Sequence, residues 1–156
     1  MIDKNLELLE GCTMLEYYEG YERNKYLDPL GFETVGIGRN LEVYPFDPDE
    51  QEQYDILGFY SHLDATAWAY DKLKQCRQDV VIHNPWLVES PAEIRLIVVD
   101  MTFNLGLKGI LGFKNMLKAI KVGDYYEAAA QLKDSKYYHQ VGRRSQDHYN
   151  TIIGLI

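Results

Sequence analysis

The chain has 156 residues, 46% hydrophobic by type, with twelve glycines and five prolines, a composition that describes one compact globular unit with room for a real core. Its apolar stretches are far shorter than a bilayer span and its start, MIDKNLELLEGC, alternates charges with leucines, so neither stable membrane insertion nor a signal peptide is expected. The formal charge of −8 argues against a nucleic-acid partner, whose phosphates demand clustered Lys and Arg.

From Asp3 an amphipathic pattern carries Leu8, Cys12, Leu15 and Glu19 on one stripe, with Gly20 as the stop, so Glu19 closes an apolar helical face. Residues 21–38 read as a small hairpin: extended from Tyr21 to Leu27, a β-turn over Asp28-Pro29-Leu30-Gly31, then extended from Phe32 to Ile37. Asp47-Pro48-Asp49-Glu50 supplies an N-cap, an N1 proline and an N3 glutamate. The acidic run Asp47, Asp49, Glu50, Glu52 and Asp55 lacks the ligand order of an EF-hand and reads as a helix start.

Ser61-His62-Leu63-Asp64 opens a longer helix, over about 61–78, with Leu63, Ala67, Tyr70 and Lys74 on one side. After a loop around His83-Asn84-Pro85-Trp86, Ser90-Pro91-Ala92-Glu93 opens a core helix with Ile94, Ile97, Val98, Met101 and Leu105 as its buried face and Gly106 as its end. Phe113, Met116, Leu117 and Ile120 mark the next helix, stopped at Gly123; Asp124 to Glu127 caps another, Ser135 starts a short turn, and a last helix begins near Arg143.

Charge is unevenly spread. Residues 1–60 hold fourteen acidic against four basic side chains, a net of −10, whereas residues 61–156 hold ten against twelve, a net of +2. Lys108, Lys114, Lys118, Lys121, Lys133 and Lys136 fall in that second part, either facing an anionic polymer or forming ordinary solvated helix faces. Cys12 and Cys76 lack metal spacing and are expected as free buried thiols. His62, His83, His139 and His148 lack the paired spacing of a zinc site, and neither a phosphate-binding glycine loop nor a nucleophile elbow occurs, so no metal or cofactor is expected.

The chemistry concentrates at the hairpin. A glutamate at the end of an apolar stripe meets desolvation and the negative end of the helix dipole, which suit a general acid. Asp28 opens a polar turn, where it is expected to stay ionised and act on water or on a developing oxocarbenium charge. Thr34 is expected across the hairpin from Asp28, its hydroxyl holding a water, with Gly36 and Gly38 leaving the backbone open to substrate. Taken singly, each has a plainer reading as a solvated helix-end Glu, an Asp of turn chemistry and a strand Thr.

The whole stretch is more specific than its parts. Glu19-Gly20, Tyr26-Leu27-Asp28 and Gly31-Phe32-Glu33-Thr34-Val35-Gly36-Ile37-Gly38, followed by Met101-Thr102-Phe103-Asn104-Leu105-Gly106, Gly112-Phe113, Glu127-Ala128-Ala129 and Gln140-Val141-Gly142-Arg143-Arg144, resemble the phage-type lysozymes of glycoside hydrolase family 24, the T-even phage lysozyme group. Where several relatives have His after Gly-x-Gly, this chain has Arg39 and Asn40.

The resemblance implies a single α+β lysozyme-like domain over 1–156. Its small N-terminal β lobe spans about 20–60, a long helix over about 61–78 follows, and a helical C-terminal lobe takes 1–19 and 79–156. It implies Glu19 as acid, Asp28 as base or electrostatic partner, Thr34 as the group placing water, and Arg144 as the group orienting Glu19. Gly38, Arg39, Asn40, Phe103, Asn104 and Gln131 are implied as substrate contacts.

The implied activity is an inverting muramidase that cuts the β-1,4 bond between N-acetylmuramic acid and N-acetylglucosamine in bacterial peptidoglycan, a hydrolase of cell-wall catabolism, cytolysis and antimicrobial action. Such an endolysin is expected as a cytoplasmic monomer reaching the periplasmic wall through a holin lesion, or as a virion-associated protein. The alternatives are a lytic transglycosylase and a noncatalytic wall-binding or tail-assembly module.

Overall fold

The computed structural model describes residues 3–156, which form an α+β structure whose chain divides into two compact units, Met1–Lys72 and Leu73–Ile156. The first holds α1 (Lys4–Glu19), the strands β1 (Glu22–Leu27), β2 (Glu33–Gly36) and β3 (Arg39–Asn40), α2 (Pro48–Leu57) and the start of α3 (His62–His83). The second holds the end of α3, a 3-10 turn over Pro85–Glu89, α4 (Ala92–Leu111), α5 (Lys114–Lys121), α6 (Tyr125–Lys133), α7 (Lys136–Val141) and α8 (Arg143–Ile153).

The helix starts follow from local capping chemistry. The Asp3 carboxylate accepts from the amides of Asn5 and Leu6 at 3.0 and 3.2 Å, and Gly20 closes α1. Asp47 and Glu50 form a reciprocal capping box at α2, so the acidic run there is a helix start. Asp124 and Ser135 cap α6 and α7 through the amides of Glu127 and Tyr138. The turn expected after Ser135 is thus a six-residue helix.

The sheet is antiparallel in the order β1-β2-β3. The Asp28 carbonyl accepts from the Gly31 amide at 2.9 Å, closing the expected β-turn. β3, two residues long and absent from the sequence pattern, pairs Thr34 with Asn40 and Val35 with Arg39, so the chain reverses over Gly36, Ile37 and Gly38. α1 falls in this unit, where Glu16 pairs with His62 and Asn5 accepts from the Tyr70 hydroxyl at 3.1 Å.

α3 differs from its expected form in two ways. It runs to His83 rather than ending near 78, and its buried residues include Ala65, Ala69, Leu73 and Val80, whereas Leu63 is 78% exposed and Ala67 and Lys74 are also exposed. Ala65, Ala69 and Leu73 follow one another at i, i+4 and i+8 and so share one stripe, which Leu63 lies off.

In the second unit Ile94, Ile97, Val98 and Met101 are buried as expected, while Leu105 is only half-buried. Gly106, at φ 77° and ψ 165°, breaks α4 without ending it, because the helical pattern resumes to Leu111. Met116, Leu117, Ile120, Ala128, Ala129, Leu132 and Ile152 complete this core, and the six lysines of the basic C-terminal part are all exposed.

Neither cysteine forms a disulfide; Cys12 is buried and Cys76 half-buried. Burial pushes the Cys12 thiol up to about 11, so little thiolate is present near neutral pH. Iodoacetamide at pH 8 is expected to leave Cys12 unmodified in the folded protein and to modify it after unfolding in guanidinium, as read by peptide mass spectrometry. Rapid native modification at Cys12 would contradict this packing.

Candidate active site

Glu19 is the last residue of α1 and is half-buried. Its carboxyl group lies against the reversal between β2 and β3: a Cβ placed on Gly38 would sit 2.9 Å from Cγ, Cδ and Oε2 of Glu19. Gly38 also has φ +64°, so both its backbone and the space above it require glycine. The glycine expected to leave room for substrate thus makes room for Glu19.

Asp28 leaves β1 directly at the turn. Its Oδ1 accepts from the amides of Leu30 and Phe32 at 2.9 and 2.8 Å, while Oδ2 has no hydrogen-bond partner among the described residues. One oxygen therefore fixes the orientation of the group and the other is available for chemistry. Thr34 does not face Asp28: it pairs with Tyr26 in the ladder, because Leu27 takes Glu33 and Asp28 is spent closing the turn. Its buried hydroxyl donates to the Phe32 carbonyl at 3.0 Å, leaving lone pairs that can accept from a water.

Tyr26 is the residue that sequence reasoning quoted without giving it a role. Burial, then the negative charges of Glu19, Glu22 and Asp28, hold its hydroxyl above the ordinary tyrosine value. Tyr26 thus stays a neutral donor that feels the fields of both Glu19 and Asp28. The signal was present in the Tyr-x-Asp spacing, which keeps Tyr26 within two residues of Asp28 at the end of β1.

Arg39 is a correction. Expected at the substrate, it is 3% exposed and its five donors are taken inside the unit. Nε donates to the Tyr44 carbonyl at 2.9 Å; Nη1 to Glu50 Oε2 at 2.5 Å and the Tyr60 hydroxyl at 3.3 Å; Nη2 to Glu50 Oε1 at 3.0 Å and the Pro45 carbonyl at 2.8 Å. The guanidinium carbon also lies 4.8 Å from the Phe46 ring centroid and 5.4 Å from that of Trp68. Hydrogen bonding from Arg39 outweighs burial and holds Glu50 below the ordinary glutamate value. Asn40 is half-buried, its side-chain oxygen accepting from the Glu42 amide at 2.9 Å.

In the second unit Phe103 is half-buried and Asn104 exposed, both just before the break at Gly106. Gln131 donates to Glu127 at 2.7 Å and lines a groove of about 560 Å³ with Gly109, Phe113, Asn115 and Ser135. Arg144 forks onto Asp100, with Nε to Oδ2 at 2.8 Å and Nη2 to Oδ1 at 2.7 Å, and His148 Nε2 lies 2.7 Å from the same Oδ2.

A family model described as Phage lysozyme matches residues 16–148. The chain belongs to the phage lysozyme family. It is accordingly a glycosidase of the lysozyme-like peptidoglycan-hydrolase group with an α+β lysozyme-like fold. It is 26% identical to "Probable T4-type lysozyme 1" of Dictyostelium discoideum, over 92% of this chain and 91% of that protein. It is also 26% identical to "Probable T4-type lysozyme 2" of the same organism, over 85% of this chain and 86% of that protein. The match to "Pre-baseplate central spike protein Gp5" of Enterobacteria phage T4 is again 26% identical and covers 86% of this chain but 26% of the spike protein.

The Asp100 cluster gives a pH prediction for this lysozyme-family chain. Burial pushes Asp100 up, but hydrogen bonds from Arg144 and His148, with their charges, outweigh it and hold the carboxyl below its ordinary value. A folded value below the unfolded one means stability present above the unfolded pKa, near 4, and lost as pH falls through the lower folded value. Asp100→Asn is expected to cost about 3–5 kcal/mol at pH 7, because it removes the buried carboxylate that both Arg144 and His148 face. In urea melts the gap between the two proteins should narrow as pH falls below about 4; a gap that stays constant would contradict the pairing.

Proposed function

We propose that the protein hydrolyses the β-1,4 bond between N-acetylmuramic acid and N-acetylglucosamine in bacterial peptidoglycan, with inversion at the anomeric carbon. The observation that carries this reading is the state of Asp28, one oxygen fixed by two backbone amides and the other without a partner among the described residues, close enough for its charge to be felt at Tyr26 together with that of Glu19. Glu19 protonates the departing glycosidic oxygen. A water donates one hydrogen to Thr34 Oγ1 and the other to Asp28 Oδ2, and its lone pair attacks the opposite face of the sugar as the bond breaks. Asp28 takes the water proton, so charge balances across the step.

Direct attack by Asp28 would give the retaining outcome and needs the two carboxyl groups about 5–5.5 Å apart; the water route needs about 6.5–9.5 Å. A hydroxyl whose own proton is committed to the Phe32 carbonyl suits the water route, because it can only accept. The family likeness is what supports substrate contacts at Asn40, Phe103, Asn104 and Gln131 and, through its backbone alone, at Gly38. The support for Arg144 as an orienting residue is the family likeness alone.

A free endolysin that reaches the wall through a holin lesion and lyses the host is one reading of the phage lysozyme family match. A second reading, a virion-borne lysozyme, is favoured by the similarity to a baseplate spike protein.

The test is digestion of purified peptidoglycan by the protein and by Glu19→Gln and Asp28→Ala, each shown to be folded by circular dichroism, with products read by mass spectrometry. Hydrated muramic reducing ends are expected from the unmodified protein, and a loss of roughly 10²–10⁴-fold or more in each variant. Anhydro-muramic ends would mean a lytic transglycosylase. Binding without cleavage would mean a noncatalytic module, and undiminished hydrolysis by Glu19→Gln would remove Glu19 from the chemistry.

A further inference from the structure

The reversal Gly36-Ile37-Gly38 is held on two sides by groups that have no place in the bond-breaking step. At one end a Cβ on Gly36 would lie 2.7 Å from Cε1 and 2.8 Å from Cδ1 of the Tyr60 ring, so the ring is seated directly on the Gly36 backbone. At the other end Gly38 rests on the Glu19 side chain, and the next residue is Arg39, whose donors are all committed.

Tyr60 is itself immobilised. Its amide donates to the Arg23 carbonyl at 2.8 Å, its carbonyl accepts from the Tyr21 hydroxyl, and its own hydroxyl accepts from Arg39 at 3.3 Å and donates to the Asp64 carbonyl at 3.2 Å. Burial holds that hydroxyl above the ordinary tyrosine value, so it remains protonated for the Asp64 bond. Phe46 closes the ring at 5.3 Å between centroids. The backbone of Tyr60 is thus fixed against β1, and its ring cannot retreat from Gly36 without breaking its hydrogen bonds to Asp64 and Arg39 and its contact with Phe46.

We propose that Tyr60 and Arg39 are positioning residues for the acid: they set the depth of the Gly36–Gly38 reversal, and Gly38 in turn fixes the Glu19 carboxyl. This rests on the reading of Glu19 as the general acid. A glutamate side chain has three rotatable bonds, and packing against a backbone that cannot move is a direct way to remove that freedom. Tyr60, 6% exposed, and Arg39, 3% exposed, act through the reversal and not on substrate.

The test is steady-state kinetics on soluble uncrosslinked peptidoglycan for the unmodified protein, Tyr60→Phe, Tyr60→Leu, Arg39→Lys and Glu19→Gln, at a temperature where circular dichroism shows each to be folded. Tyr60→Leu is expected to lower kcat by roughly 10²-fold with KM within about twofold, the signature of a misplaced reacting group. Tyr60→Phe keeps the ring on Gly36 and is expected to hold kcat within about tenfold of the unmodified protein.

A merely structural role would lower Tm and leave kcat of the folded protein alone, so a folded Tyr60→Leu with unchanged kcat overturns the proposal. Should Tyr60→Leu not fold, Arg39→Lys decides, since it keeps the charge but cannot supply five donors in a planar fork: a lower kcat at constant KM supports the proposal and an unchanged kcat overturns it. Activity in Glu19→Gln refutes the acid assignment itself, whatever the Tyr60 variants do. An inactive Glu19→Gln beside a fully active Tyr60→Leu refutes positioning alone.

Discussion

The first unit is organised around one buried cation. Arg39 lies at the junction of β3, the Tyr44–Pro45 backbone, the start of α2 and the Tyr60 ring, and it makes a hydrogen bond through each of its donors. A guanidinium taken out of water without partners would be prohibitively costly, so the unit has no low-energy alternative in which Glu50, Tyr44, Pro45 and Tyr60 sit elsewhere. Such a pair adds little net stability over an apolar substitute, yet it strongly restricts the geometries that the chain can adopt. The capping box at α2 belongs to the same network, because Glu50 accepts from both Asp47 and Arg39.

That rigidity matters because the chemistry next to it needs fixed distances. Asp28 is oriented by two amides of its own turn, Thr34 by the Phe32 carbonyl, and Glu19 by the backbone of Gly38. Each of these supports comes from the hairpin or its reversal, so the candidate site is a property of one short segment backed by a buried arginine. Tyr26 adds a neutral hydroxyl under the influence of both carboxyl groups. In the second unit Asp100, Arg144 and His148 repeat the device, a buried carboxylate fixing a cation on a neighbouring helix.

What could be read in the sequence was local. Asp3, Asp47, Asp124 and Ser135 announce helix starts because a cap bonds to amides two or three residues away, and Asp28 to Gly31 announces a turn for the same reason. The burial of Leu8, Cys12 and Leu15 followed from helical spacing. Failures came where the deciding partner is remote or the segment is short. β3 has two residues and no periodicity to detect, and the buried side of α3 is marked by alanines, which hydropathy ranks below the exposed Leu63. Arg39 reads as a surface charge until Glu50 and Tyr60 fold onto it, and Asp100 gains its meaning from residues 44 and 48 positions away.

Asp28 is proposed to act through a water held at Thr34 and not as a nucleophile. Proton NMR of the reducing end in the first moments of digestion, before mutarotation, tests it most directly. Inversion at the β-linked muramic carbon predicts the α-anomer as the initial product. An initial β-anomer would mean a covalent or otherwise retaining route and would contradict the account.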